Sequence, residues 1–205
     1  MVVPDPPYPF DPEPFELATG QELYRVHGKD RDGHAFNPGM GTPTRFAFFG
    51  DPVVPILYAA ETWQAAIAES LLHDVPVTGG QLTASAYANR RMSRLRTTRG
   101  LRVASFMGLG LRKLGVTADQ VTTTPAAEYD RTVLWAEAAR RAGYDGVAYM
   151  SNKCNSDRAY AFFADRCQDA FEPDPAFRWN FSDPIDGRPA LITFCSRFGV
   201  EVLIR

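Results

Sequence analysis

Two charged side chains define the chemistry this chain could perform. Arg25 lies in the run Glu22-Leu23-Tyr24-Arg25-Val26-His27, and Glu69 lies in the run Thr62 to Leu72. At 100° per residue Ala65, Ala66, Glu69, Leu72 and His73 fall along one side of a helix, so Glu69 interrupts an apolar stripe. Charged side chains are rarely buried unpaired, and an acid in that position needs a partner or a task. An inward carboxylate can stabilise positive charge that develops in a transition state. A guanidinium on a partly apolar strand face can hold a phosphate or carboxylate through two parallel hydrogen bonds. The plain alternatives are a boundary glutamate that reaches water and an edge-strand arginine paired with a nearby acid.

Other residues could join them. In a strand, Arg25 points the same way as Leu23 and His27 and opposite to Tyr24 and Val26. Arg45 follows a glycine-rich loop and is flanked by Thr44 and Phe46. Tyr58 precedes the Glu69 helix closely enough for a ring and an acid to reach one cleft, although a strand tyrosine is more often core. His27, His34 and His73 lack metal-ligand spacing and no Cys–His pairing points to zinc, so no metal site is expected. The chain has no G-x-S-x-G, P-loop or G-x-G-x-x-G motif. Arginines 90, 91, 94, 96, 99 and 102 form a local basic patch, read as a solvated face or a surface for an acidic partner or nucleotide phosphate.

The elements that would position these residues are mostly strands. Alternation and turn signals predict strands at 22–27, 45–49, 56–60, 81–87, 101–106, 147–150, 159–163, 191–195 and 200–204. Thr62 can cap a helix to about His73, and Pro125 precedes a helix over 126–142 closed by Gly143. Residues 171–189, with four prolines, read as a long loop. Six prolines between Pro4 and Pro14 make residues 1–20 an extended arm, laid on the domain or mobile. Strands outnumber helices without alternating with them. The expected fold is α+β, a mixed or antiparallel β core with flanking helices.

Composition narrows the function classes. The 205 residues suit one domain, and 45% hydrophobic content supplies a core. A net charge of −2 argues against a general nucleic-acid binder. Three scattered cysteines make neither a disulfide framework nor a paired-thiol metal site, which fits a reducing cytoplasm. No signal peptide or membrane span is expected.

Taken in order, Leu23-Tyr24-Arg25-Val26, Phe36-Asn37-Pro38, Arg45-Phe46, Leu57-Tyr58-Ala59-Ala60-Glu61-Thr62, Ala66-Ile67-Ala68-Glu69 and Tyr144-Asp145-Gly146-Val147 with Ser151 resemble the RES domain. The family is named for an Arg, a Glu and a Ser and supplies toxins of bacterial toxin–antitoxin pairs. The resemblance covers roughly residues 20–165, making 21–165 the catalytic domain and 166–205 an extension packed on it. It implies a fold related to ADP-ribosyltransferase toxins and an NAD phosphorylase or glycohydrolase activity. NAD is then the substrate, inorganic phosphate a possible co-substrate, and no cofactor is required. The implied partner is a helix-turn-helix antitoxin that occludes the site, with no membrane and no direct nucleic-acid contact.

Carried over by position, the catalytic set is Arg25, Glu69 and Ser151, with Tyr58, Arg45, Tyr24 and His27 around NAD. The sequence after Ser151, Asn152-Lys153-Cys154-Asn155-Ser156-Asp157-Arg158, lacks the glycine the family leads one to expect, which leaves Ser156 as the alternative serine. Glu69 would stabilise an oxocarbenium-like ribose and Arg25 would bind phosphate, the two facing one pocket. Two further readings stand beside this one: mono-ADP-ribosylation of a cellular protein, and a non-catalytic module using the arginine patch.

Overall fold

The computed structural model describes residues 2–204. Its strands are β1 (Pro14–Leu17), β2 (Glu22–Gly28), β3 (Ile56–Ala60), β4 (Gly80–Leu82), β5 (Arg90–Thr97), β6 (Leu101–Phe106), β7 (Gly146–Met150), β8 (Arg158–Phe163), β9 (Phe171–Asn180) and β10 (Val200–Val202). Its helices are α1 (Trp63–Ser70), α2 (Ala84–Tyr87), α3 (Leu109–Lys113), α4 (Ala118–Val121), α5 (Tyr129–Arg141), α6 (Ala164–Cys167) and α7 (Gly187–Ser196). An eight-stranded sheet runs β1-β6-β7-β8-β3-β2-β5-β9, and β10 pairs with β4 apart from it. Only β6 and β7 are parallel neighbours in the large sheet, so the architecture is the α+β arrangement with a mixed, mostly antiparallel core.

Strand alternation sorts the apolar residues into layers. On one face, Ile56, Phe106, Val147, Tyr149 and Phe163 pack against Trp135, Ala136 and Ala139 of α5. Further along the same face, Ala60 and Met92 meet Ala65 and Ile67 of α1 and Leu191 and Phe194 of α7. The opposite face gathers Leu23, Leu57, Leu95, Val103, Ala148 and Phe162, closed by Phe171 and Phe36. Past the end of β7 a cavity opens between β6, α3, α4 and the segment that begins at Ser151.

The N-terminal arm is laid on the domain. Val3 is buried, Trp135 Nε1 donates to Pro4 O at 2.9 Å, and Tyr144 Oη donates to Pro12 O at 3.0 Å. β1 then pairs with β6. No described helix is long and apolar enough to cross a membrane.

Five stretches differ from their sequence reading, each for a local reason. Residues 45–49 form a tight loop in which Thr44 and Ala47 exchange backbone hydrogen bonds, and their aromatic character reflects Phe46 and Phe49 anchored in the core. Strand 81–87 stops at Leu82 and gives way to α2, which buries Tyr87 and lets its hydroxyl donate to Leu203 O at 2.7 Å. Residues 90–97 form an additional strand, β5, next to the sheet's edge strand: Met92 and Leu95 are buried, Arg90, Arg91 and Arg96 keep the solvated face expected of the basic patch, and Arg94 pairs with Asp174 at 2.6 Å and Arg96 with Glu22 at 3.2 Å. Residues 191–195 lie in α7, with Leu191, Phe194 and Cys195 buried at helical spacing and Ile192 and Thr193 exposed. The proline-rich loop holds edge strand β9 as well, the one place in a sheet where Pro173 and Pro175 are tolerated.

Candidate active site

Glu69 reaches Ser151, just past the end of β7, because α1 begins where it does. Thr62 caps the helix, its Oγ1 accepting from Ala65 N at 3.1 Å, and the buried run Ala65–Ala68 fixes which side faces the sheet. Two turns on, Glu69 is half-buried at the edge of that side. Its Oε1 accepts from Ser151 Oγ at 2.6 Å and from Lys153 N at 3.2 Å. Its Oε2 has no protein partner among the described residues. The carboxylate is therefore oriented through one oxygen and free to act through the other.

Ser151 follows β7 and is fully buried. Its hydroxyl donates to Glu69 and accepts from Cys154 N at 3.0 Å, which fixes the rotor. Ser156 Oγ turns instead to Cys154 O at 2.9 Å, so Ser151 is the serine beside the acid. The loop needs no glycine there: Asn155, at φ +34°, occupies the left-handed region that asparagine tolerates.

Three more polar groups share this side of the sheet. Tyr58 Oη accepts from Phe46 N at 3.0 Å and lies 2.9 Å from Thr44 Oγ1. Burial pushes its phenol up to about 12, partly offset by those hydrogen bonds and by the charge of Arg45. Tyr149, buried on the face shared with Val147, is pushed well up by burial first and then by the Glu69 charge, with Arg45 pulling the other way. Arg45 itself is buried, donating through Nη2 to Thr124 O at 3.1 Å and through Nε to Thr124 Oγ1 at 3.4 Å, with its guanidinium 5.3 Å from the centre of the Tyr129 ring. A cavity of about 380 Å³ opens beside Ser151, lined by Phe106, Met107, Thr122, Thr123, Met150 and Asn152 among others.

Arg25 is elsewhere. Its neighbours along β2, Tyr24 and Val26, pack in the layer under α1, so strand parity turns Arg25 to the opposite face beside Leu23. There its Nη1 donates to Gly33 O at 2.9 Å and Ala35 O at 2.6 Å, tethering the 28–44 loop. Desolvation, reinforced by the Arg31 charge, lowers its pKa to about 10. The expectation that Arg25 and Glu69 face one pocket is thus corrected: Arg45 is the guanidinium beside Tyr58 and Tyr149.

His27 shares the Arg25 face, with Nδ1 donating to Gly28 O and Nε2 facing Ser93 Oγ, both at 2.9 Å. Burial, helped by the charges of Arg25 and Arg91 and partly offset by hydrogen bonds to the Gly28 and Arg31 backbone, holds its pKa below the usual value. Tyr24 sits edge-on to Phe177 at 5.5 Å and lies outside the Glu69 group. Conversely, Tyr149, Tyr129 and Thr124 were not singled out from the sequence. Tyr149 carried a usable signal, since it stands two residues before Ser151 in an apolar strand and must share its side.

Comparison with known proteins identifies the family and the fold. A family model for the RES domain matches residues 22–182. No curated protein matches the sequence. Among solved structures, the chain is similar to one in the crystal structure of the M. tuberculosis MbcT-MbcA toxin-antitoxin complex, with a TM-score of 0.56, 14% identity, and 80% of this chain and 85% of that chain covered. At that identity the likeness is one of fold. The family match spans most of the sequence and includes Arg25, Arg45, Tyr58, Glu69 and Ser151, and on that basis the chain belongs to the RES domain family.

Proposed function

We propose that this protein is the toxin of a toxin–antitoxin pair and acts in the cytoplasm on NAD, breaking the nicotinamide–ribose bond and transferring ADP-ribose to phosphate or water. The observation that carries this reading is the Glu69 carboxylate, held through Oε1 by the Lys153 amide and by Ser151, itself on the wall of a cavity, with Oε2 left unpaired among the described residues.

The chemistry requires little else. As the bond from ribose C1′ to the nicotinamide nitrogen breaks, its electron pair stays on nicotinamide, which turns from cation to neutral leaving group. No general acid is needed, and no cofactor. Positive charge then spreads over C1′ and the ring oxygen, where a preorganised carboxylate is worth most. An oxygen of phosphate or water bonds to C1′, and water loses its proton to solvent. Ser151 holds Glu69 in register. Arg45, braced by Thr124 and keeping Nη1 unspent, supplies positive charge for the pyrophosphate or the incoming phosphate. Tyr58 and Tyr149, on the same side of the sheet as Arg45, enclose the base with their rings. Arg25 acts at one remove, holding the loop that delivers Thr44 and Arg45.

The partner that fits is a helix-turn-helix antitoxin covering the cleft. Support comes from the family and from the toxin–antitoxin complex whose fold this chain shares. Incubation with labelled NAD, with and without phosphate and with cell lysate, tests the whole reading. ADP-ribose 1″-phosphate or free ADP-ribose supports it, labelled protein supports ADP-ribosyl transfer instead, and intact NAD in every arm refutes both.

A further inference from the structure

Glu69 receives its hydrogen bonds from a loop, and a loop is a poor scaffold unless something fixes it. The segment 151–157 is internally bonded: Asn155 N donates to Ser151 O at 2.8 Å, Cys154 N to Ser151 Oγ at 3.0 Å, and Ser151 N to Asp157 O at 2.9 Å. These bonds tie its two ends to each other. Its start grips α1 through Ser151 Oγ and Lys153 N, both on Glu69. Its end grips the same helix again, where Asp157 Oδ2 accepts from Thr62 Oγ1 at 2.9 Å and from Cys154 Sγ at 3.2 Å.

We propose that Asp157 is a positioning residue: by clipping the loop to the Thr62 cap it sets where Ser151 and the Lys153 amide meet Glu69. This rests on the reading that Glu69 acts in turnover. The two grips are seven residues apart along α1, roughly 10 Å of rigid helix. One hydroxyl, Thr62 Oγ1, both caps that helix and donates to Asp157, so the start of α1 and the end of the loop are registered by the same atom. Asp157 touches no substrate in this scheme. It lines a separate groove with Thr62, Leu72 and Phe194, away from the cavity beside Ser151. Its effect on turnover passes through Ser151 and Glu69.

The test compares Asp157→Ala, Asp157→Asn and Thr62→Asp with the wild-type chain. Asp157→Ala should lower kcat for nicotinamide release about tenfold or more while KM for NAD moves less than about twofold, since small misplacements of a catalytic group cost rate steeply. Asp157→Asn keeps an oxygen that accepts from Thr62 and should recover most of the rate. Thr62→Asp keeps a good N-cap acceptor but sets two carboxylates against each other, so it should reproduce the alanine defect without uncapping α1.

A second readout is independent of NAD. Amide hydrogen exchange at Lys153 and Cys154, and alkylation of the Cys154 thiol by iodoacetamide, should both speed up in Asp157→Ala and Thr62→Asp. Unchanged exchange and alkylation overturn the proposal, as does an asparagine variant no better than alanine, or a KM that rises in step with the loss of kcat. If the wild-type chain releases no nicotinamide, the enzymatic reading fails by itself. The exchange data then still decide whether Asp157 holds the loop.

Discussion

The two faces of strands β2 and β3 both carry charge among apolar residues, and they handle it differently. On the far face, Arg25 spends Nη1 on two backbone carbonyls and His27 closes a hydrogen bond with Ser93, all beneath a loop. Gly33 lies so close to Ser93 that a Cβ there would collide with its hydroxyl, so the loop is packed down onto the strand. On the near face, Glu69 is satisfied through one oxygen only, Arg45 is braced by Thr124, and a cavity opens alongside. A buried charge is thus a poor marker of function by itself. The informative feature is unspent hydrogen-bonding capacity held rigidly against open space.

The largest expected effect breaks the near face. Glu69→Gln preserves volume and loses charge, and nicotinamide release should fall by about 10²–10³-fold, the scale of removing one preorganised electrostatic group. The unfolding midpoint should hardly move. Ser151→Ala comes next, because the carboxylate keeps its charge and loses one orienting donor. A loss of about tenfold in kcat is expected, with KM for NAD nearly unchanged.

Arg25→Lys sharpens the contrast. Lysine's shorter stem leaves its ammonium short of the position from which Nη1 reaches both the Gly33 and Ala35 carbonyls, and stability should drop by about 2 kcal/mol in urea unfolding. A variant of normal stability whose KM for NAD rises severalfold would instead make Arg25 a substrate clamp and erase the division between faces. Tyr58→Phe should be milder, about 1 kcal/mol, since it removes the acceptor for Phe46 N and keeps the ring.

The smallest effect is a pH dependence on the far face. His27 has a folded pKa below its unfolded value near 6.5. Between those two values the unfolded chain binds more protons, so stability falls as pH drops through 6.5 and continues falling to the folded pKa. His27→Gln should flatten that segment of a stability–pH curve measured by urea midpoints from pH 7 to pH 5.

Much of the near face was legible in the sequence because its parts are local. Thr62, the alanine run and Glu69 sit on one short helix, and Ser151 follows one strand, so helical and strand periodicities place them without tertiary information. Arg25 shows the limit. Strand parity separated it from Tyr24 and Val26, but which of the two faces α1 would cover depends on packing between residues distant in sequence. The short apolar run at 191–195 fails for a related reason, since five such residues suit a strand or a helix until a partner surface chooses. The aromatic-rich run 45–49 imitates a strand because a buried loop anchors itself through Phe46 and Phe49. That the segment after Ser151 turns through a left-handed residue without glycine, at Asn155, is a feature only backbone geometry reveals.

The central claim is that one oriented carboxylate drives cleavage of NAD. Its most direct test is nicotinamide release from NAD, in phosphate buffer, by the wild-type chain and by Glu69→Gln of matched unfolding midpoint. The account predicts turnover by the first and near-background release by the second. Equal rates from the two proteins would contradict it.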